Sequence, residues 1–132
     1  MIKKSRKSHN FFKCTYITSG GGKMTTHGID VSQYQGLIDW EVVKDRIDFA
    51  IIRCGFGQDR PDQDDKLFRR NADECTRLNI PFGVYLYSYA KNTNDAKKEA
   101  DHVLRLVKDY QMAYPVYYDL EDKNTTGKQS NE

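Results

Sequence analysis

Near the carboxyl end of the chain runs PVYYDLED, residues 115–122, and its alternation carries the fold. In a β-strand, side chains at i and i+2 share a face. Val116, Tyr118 and Leu120 then stand on one side, and Tyr117, Asp119 and Glu121 on the other. The first side calls for a covering layer of helices. The second sets two carboxylates beside each other, and like charges that close repel unless a polar site makes use of them.

Working outward from this segment, three more strands are legible: HGIDVS at 27–32, DFAIIRCG at 48–55 and PFGVYLYSYA at 81–90. Three helices fall between the four strands, the pattern of an α/β fold with parallel strands. Asp39 is a plausible N-cap for a short first helix through WEVVKDR, with Trp40 and Val43 on one face. The second helix, around DDKLFRRNADECTRLN, places Phe68, Ala72 and Cys75 at i, i+4 and i+7. Its leading acids suit the helix dipole. The third follows Thr93 or Asn94, where Ala96, Ala100, Val103, Leu104 and Val107 form a continuous apolar stripe expected to be core.

Composition sets the outer bounds. At 132 residues the chain holds at most one domain. Its longest apolar run, FAII at 49–52, is far short of the roughly 18 residues of a membrane span. The formal charge of +2 hides an asymmetry. Residues 1–26 carry six of the 21 basic residues and no acid, so the remainder holds 15 basic against 19 acidic residues, a formal −4. That balance gives no electrostatic footprint for nucleic acid. Residues 1–26 read as a basic, disordered extension set off by GGG at 20–22, with Met24 as a possible start of the domain. MIKKSRK has the charge of a secretory leader, but no unbroken apolar stretch follows it, and no signal peptide is read.

Cys14, Cys54 and Cys75 are odd in number and widely spaced, which fits neither a disulfide framework nor a zinc site; Cys54 and Cys75 read as small core residues. His9, His27 and His102 lack metal-ligand spacing, and DRPDQDDKLF lacks the glycine of a calcium loop. No metal site is expected. A nucleotide site would need a glycine-rich loop free of acids, whereas GFGQDRPDQDD follows the second strand.

Strand parity points to a different chemistry. In GIDVS, Ile29 and Val31 oppose Asp30 and Ser32, and Tyr85, Tyr87 and Tyr89 line one side of the third strand. Ligands of parallel α/β folds gather where the strands' carboxyl ends emerge, so Asp30, Tyr87, Asp119 and Glu121 are expected to converge there. Carboxylates at one rim raise one another's pKa, so that one stays protonated while its neighbours ionise. That is the equipment of glycoside hydrolysis, in which an acid protonates the leaving oxygen and a second carboxylate steadies the developing cation or its helper group. The same acids also suit a solvated loop start.

The ordered set GIDVSQYQGLIDW, FAIIRCGFG, DDKLFRRNADECTRLNIPFGVYLYSYA, AKKEADHVL and PVYYDLE resembles the N-terminal portion of glycoside hydrolase family 25, the Chalaropsis-type lysozymes or N-acetylmuramidases. The resemblance covers residues 27–122, leaving 123–132 as a polar C-terminal loop or truncation point. It implies a TIM-like (β/α) barrel, no cofactor, and cleavage of the β-1,4 bond between N-acetylmuramic acid and N-acetylglucosamine in bacterial peptidoglycan. By position, Glu121 matches the general acid, Asp119 its partner carboxylate and Asp30 the first-strand acid on the floor of the site. Tyr87 and Tyr117 are the expected substrate contacts, with Tyr117 and Tyr85 equally suited to filling the barrel. An inverting, a retaining and a substrate-assisted route all fit the residues, the last being preferred. Such an enzyme acts on the cell wall, outside the cell or after lysis.

A complete (β/α)₈ barrel takes at least about 200 residues. The chain therefore reads as parallel βαβ units forming roughly half of a barrel, with an unpaired edge at the fourth parallel strand and another possible at the first. A truncated product, a fragment, a catalytically silent remnant that at most holds glycan, and one half of an assembly completed by a C-terminal partner all fit that length.

Overall fold

A computed structural model describes the backbone of residues 11–17 and 23–24 and the whole of residues 25–126. The chain runs β1 (Phe11–Ile17), β2 (Lys23–Val31), α1 (Trp40–Val43), β3 (Phe49–Phe56), α2 (Phe68–Arg77), β4 (Phe82–Tyr87), α3 (Thr93–Val107) and β5 (Val116–Asp119). One sheet holds all five strands in the order β1-β2-β3-β4-β5. From β2 to β5 every pairing is parallel, with register Asp30↔Ile51, Arg53↔Tyr85, Tyr85↔Tyr117 and Tyr87↔Asp119. The α/β class and the four parallel strands expected from the sequence are those observed.

β1 departs from expectation. Residues 11–17 belong to the stretch read as a disordered extension, yet they pair antiparallel with β2 from Phe11↔Ile29 to Ile17↔Lys23. The outer edge of the first parallel strand, where an open edge was one possibility, is covered by this pairing. The leading residues 1–10, with His9, the triple glycine and the final six residues lie outside the described part of the chain.

The sheet has two unlike faces, as the alternation requires. On one, Val31, Ile52, Val84 and Leu86 are fully buried against Trp40, Phe68 and the rest of the helical layer. Burying a side chain such as Phe68 contributes about 1.5–3 kcal/mol. Asp39 caps α1, accepting a hydrogen bond from the Val42 amide, and Trp40 Nε1 donates to Asn71 Oδ1 (3.1 Å) to tie α1 to α2. The buried thiols of Cys54 and Cys75 are pushed by desolvation up to about 12, which keeps them inert as core residues.

In α3 the buried residues are Glu99, His102, Val103 and Leu106; of the predicted apolar stripe Val103 is buried and Val107 packs against the core, whereas Ala100 and Leu104 are exposed. Leu104, on that stripe, is 64% exposed. Both polar residues are satisfied in place. Glu99 accepts from Ser88 Oγ (2.7 Å), from the Tyr89 amide (2.8 Å) and from the Tyr118 hydroxyl, which binds α3 to β4 and β5. Burial, then the bond to Glu99, pushes the Tyr118 hydroxyl up to about 12. The His102 ring lies between the Gly57 carbonyl (2.9 Å) and the Asp64 carboxylate (2.8 Å). The close approach leaves no room for a side chain at Gly55, where an added Cβ would sit 2.7 Å from the Gln63 carbonyl and 2.8 Å from the His102 ring.

Asp64 also accepts from Arg105 Nη2 (2.6 Å). Burial works to raise the Asp64 carboxyl, but hydrogen bonds from Arg105 and His102 outweigh it and hold the carboxyl below its ordinary value of 3.8. A depressed carboxyl stabilises the fold at pH values above the unfolded-state value and ceases to do so as pH falls through the folded-state value. Asp64→Asn is therefore expected to lower the urea midpoint at pH 7, and the gap from the parent chain should close below about pH 4. A gap that persists unchanged at pH 3 would show that the Asp64 charge is not its source.

Candidate active site

The opposite face of the sheet carries the predicted strand residues. Asp30 from β2, Arg53 from β3, Tyr85 and Tyr87 from β4 and Tyr117 and Asp119 from β5 share it by register. Toward the amino ends of the strands the face is filled by a small aromatic and aliphatic cluster, in which Phe49 and Ile51 pack against Tyr85, Tyr114 and Tyr117. Phe49 and Tyr114 stack with ring centroids 4.9 Å apart. Tyr117 is therefore part of the filling, the alternative the sequence left open.

Beyond this plug, two tyrosines feel the surrounding acids. The Tyr85 hydroxyl is held above its usual range first by burial, then by the charge of Asp30, with a hydrogen bond to Asp30 and the charge of Asp119 adding to the effect and Arg53 opposing it. Tyr85 thus stays protonated and donates to the Asp30 carboxylate, which is itself buried. Tyr87 is raised first by burial and then by Asp122, Tyr89, Glu121 and Asp119. Asp30 and Asp119 accordingly act on one hydroxyl, and Asp119 and Glu121 on the next.

Glu121 differs from expectation in one respect. β5 ends at Asp119, where its pairing with Tyr87 ends, so Asp119 and Glu121 are not neighbours on a strand face. Glu121 sits beyond the strand in an exposed segment. Asp122 follows it and accepts from the Asn124 amide (3.1 Å) and Thr125 Oγ1 (2.8 Å), closing a turn that fixes the segment's exit.

Sequence reading missed an ion pair beside this group. Arg53 Nε donates to Asp65 Oδ2 at 2.8 Å, with both side chains buried. Asp65 also accepts from the amides of Gln33 (3.0 Å) and Leu67 (3.0 Å), so one carboxylate fixes Arg53, the loop after β2 and the entry to α2. The Arg53 guanidinium lies under the Tyr34 ring, 4.8 Å from its centroid, and 5.8 Å from that of Phe56. Together with Tyr87 and Tyr89 these residues line a recess of about 240 Å³. The signal was present in FAIIRCGF, where a single charge interrupts an apolar strand at the parity of Ile51 and opposite to Ile52 and Cys54.

Chemically, the face offers carboxylates at the carboxyl ends of parallel strands, protonated tyrosines as donors and an aromatic recess alongside. This suits acid–base work on a polar, ring-shaped ligand.

The family described as Glycosyl hydrolases family 25 matches residues 29–132. Among solved structures, the modular autolysin LytC from Streptococcus pneumoniae shares 34% identity at a TM-score of 0.64, over 79% of this chain and 25% of LytC. A family 25 glycosyl hydrolase from Bacillus anthracis shares 29% identity at a TM-score of 0.59, over 69% of this chain and 40% of that protein. The catalytic domain of endolysin ply40 from bacteriophage P40 of Listeria monocytogenes has the same fold, with 21% identity and a TM-score of 0.61 over 69% of this chain and 46% of the other. No match was found among curated proteins. The chain thus spans a quarter to just under half of these structures' own length. With the family matched over residues 29–132 and a solved relative at 34% identity, the chain belongs to glycosyl hydrolase family 25.

Proposed function

We propose that the chain supplies the acid-bearing wall of a peptidoglycan hydrolase that cleaves the β-1,4 bond between N-acetylmuramic acid and N-acetylglucosamine. The observation that carries this reading is the shared electrostatic influence of Asp30, Asp119 and Glu121 on Tyr85 and Tyr87, at the carboxyl ends of parallel strands in a family 25 chain. LytC has also been solved in complex with a synthetic peptidoglycan ligand, which supports the substrate class.

Glu121 gives its proton to the glycosidic oxygen as the bond from that oxygen to the anomeric carbon breaks. The positive charge that develops on the sugar is met by the substrate's own acetamido carbonyl oxygen, which Asp119 orients. Water then adds at the anomeric carbon and returns a proton to Glu121. Asp30, held by the Tyr85 hydroxyl, forms the floor beneath the sugar. Tyr87 contributes a hydroxyl and ring edge at the rim.

A specific observation favours a second reading, in which this chain works as one half of an assembly. Between α3 and β5 runs a groove lined by Ala96, Ala100, Val103, Leu104, Val116 and Tyr118. β5 ends the sheet among the described residues, and Leu120 beyond it is 54% exposed. In the preceding repeats a further strand and helix cover the equivalent position, so a C-terminal βα segment is the complement expected here.

The test is incubation with purified peptidoglycan, followed by borohydride reduction and analysis of the new sugar ends. Reduced muramic acid is the expected product. Reduced glucosamine would overturn the bond assignment. Release that requires an added C-terminal half would support the second reading, and no release in either case would leave the chain without hydrolase activity.

A further inference from the structure

The loop after β3, residues 57–64, reads GQDRPDQD and adds no side chain to the hydrophobic core among the described residues. A segment without buried apolar contacts opens easily unless polar contacts hold it. Here those contacts come from α3. Gln58 Nε2 donates to Asp95 Oδ1 (3.2 Å) and Arg105 Nε to Asp59 Oδ1 (2.6 Å). The buried His102 ring reaches both ends of the loop, with Nδ1 2.9 Å from the Gly57 carbonyl oxygen and Nε2 2.8 Å from Asp64 Oδ1. Gly57 sits at φ 63°, a left-handed conformation that other residues rarely adopt, so the carbonyl that meets the ring is aimed by a backbone shape suited to glycine.

The proton count on that ring decides whether both bonds exist. A carbonyl oxygen only accepts. Asp64 only accepts as well, because Arg105 holds it ionised, with Nη2 donating to Oδ1 (2.6 Å) and Nη1 to Oδ2 (3.1 Å). Two acceptors on two ring nitrogens require a proton on each, so the closed arrangement is that of an imidazolium. With one proton, a ring nitrogen turns its lone pair on an oxygen and that contact is lost. The other ionisable groups nearby are engaged elsewhere: Arg105 by Asp59 and Asp64, Asp65 by Arg53, and Glu99, one turn earlier on α3, by Ser88, Tyr89 and Tyr118. On β3 the Cys54 thiol, pushed by desolvation up to about 12, stays neutral. We propose that residues 57–64 are a proton-linked clamp on the rim of the site, closed when His102 carries both ring protons and loosened when it carries one. The clamp reaches the site at two points. The Gly57 amide donates to the Tyr87 carbonyl (3.0 Å) at the carboxyl end of β4, and the Asp65 amide to the Cys54 carbonyl (2.9 Å) beside Arg53. His102 is thus a positioning residue. The clamp stands on geometry alone, and its effect on rate rests on the hydrolase reading.

The test is an NMR titration of the full chain with ¹⁵N in its histidine rings and backbone amides. The two His102 ring nitrogens, identified by their loss in His102→Gln, should show the matched shifts of an imidazolium at the acid end and the separated shifts of a neutral ring at the alkaline end. The amide signals of Gly57, Asp64 and Tyr87 should move with the same midpoint as the ring. Protection of the Gly57 amide from hydrogen exchange, corrected for the intrinsic pH dependence, should fall about tenfold or more across that midpoint, as for loss of a hydrogen bond to a charged group. In His102→Gln these amides should no longer respond over that range. Because that variant can impair folding, the shared midpoint in the unaltered chain decides by itself. A ring that holds one proton throughout, a ring that loses its second proton with no change at Gly57 and Asp64, or one that keeps both protons until the chain unfolds would overturn the proposal. In the form that releases reducing ends, the rate should fall with the ring's midpoint, a dependence absent in His102→Gln. No release from peptidoglycan with the shared midpoint intact counts against the hydrolase reading alone. Release without the shared midpoint counts against the clamp alone.

Discussion

Asp65→Ala is expected to lower the folding stability of the chain by about 3–5 kcal/mol, the usual cost of stranding one member of a buried ion pair. Three partners lose their acceptor at once: Arg53 Nε and the amides of Gln33 and Leu67. Arg53 then keeps its charge in a site that is almost closed to water, without the carboxylate that holds its Nε. The loss is structural as well as electrostatic, because Asp65 ties the loop after β2 to the start of α2. Urea unfolding followed by circular dichroism measures it, and at ordinary slopes the midpoint should fall by about 1 M or more. Replacing both residues, as in Arg53→Met with Asp65→Leu, should recover much of the stability, because neither an unpaired charge nor an unpaired carboxylate then remains. A single Asp65→Ala variant within about 1 kcal/mol of the parent would show that the pair contributes little.

What could be read from the sequence follows from what a one-dimensional pattern contains. Period-two alternation in PVYYDLED, GIDVS and PFGVYLY assigns side chains to two faces, and the observed register keeps them there: Asp30, Tyr85, Tyr87 and Asp119 on one, Val31, Val84 and Leu86 on the other. Asp39 as cap and Phe68, Ala72 and Cys75 as a buried stripe are local or single-helix properties, and they too agree. Burial, however, depends on neighbours. Ala100 and Leu104 have the spacing of core residues but face a groove that no described residue covers, whereas Glu99 and His102 are buried because Ser88, Tyr118 and Asp64 meet them from distant parts of the chain. The same holds for the active face. The shared face of Asp30 and Asp119 was legible from strand parity, but Glu121 lies beyond the end of β5, and the Arg53–Asp65 pair joins residues 12 positions apart next to a bulge at Arg53/Gly55, which a strict alternation cannot anticipate. Composition also misled at the amino end, where a run of cations suggested a solvated tail and residues 11–17 instead pair with β2.

Under the proposed function, the carboxylates themselves are expected to provide the largest effect on activity. In the form that releases reducing ends, whether the chain alone or the chain with its complement, Glu121→Gln is expected to slow release about 10²–10⁴-fold, the range for removal of a general acid. The amide keeps the shape of the side chain but has no proton of suitable acidity for the leaving oxygen. Because Glu121 lies beyond β5 and is exposed, the substitution should leave the urea midpoint unchanged, so a fall in rate cannot be assigned to unfolding. Asp119→Asn should slow the reaction comparably, and here the two chemical routes separate. If Asp119 attacks the sugar directly, Asp119→Ala with added azide should yield a glycosyl azide, the small anion taking the vacated position. If the acetamido carbonyl is the nucleophile and Asp119 orients it, azide should give no such product, since the attacking group still occupies that side of the ring. Tyr85→Phe provides the control for the floor of the site: it removes the donor to Asp30 while leaving the ring in the plug with Phe49 and Ile51. A rate loss of about tenfold, the worth of one hydrogen bond to a charged group, is expected for it. Full activity in Glu121→Gln would remove this residue from the reaction and with it the assignment of the neighbouring acids.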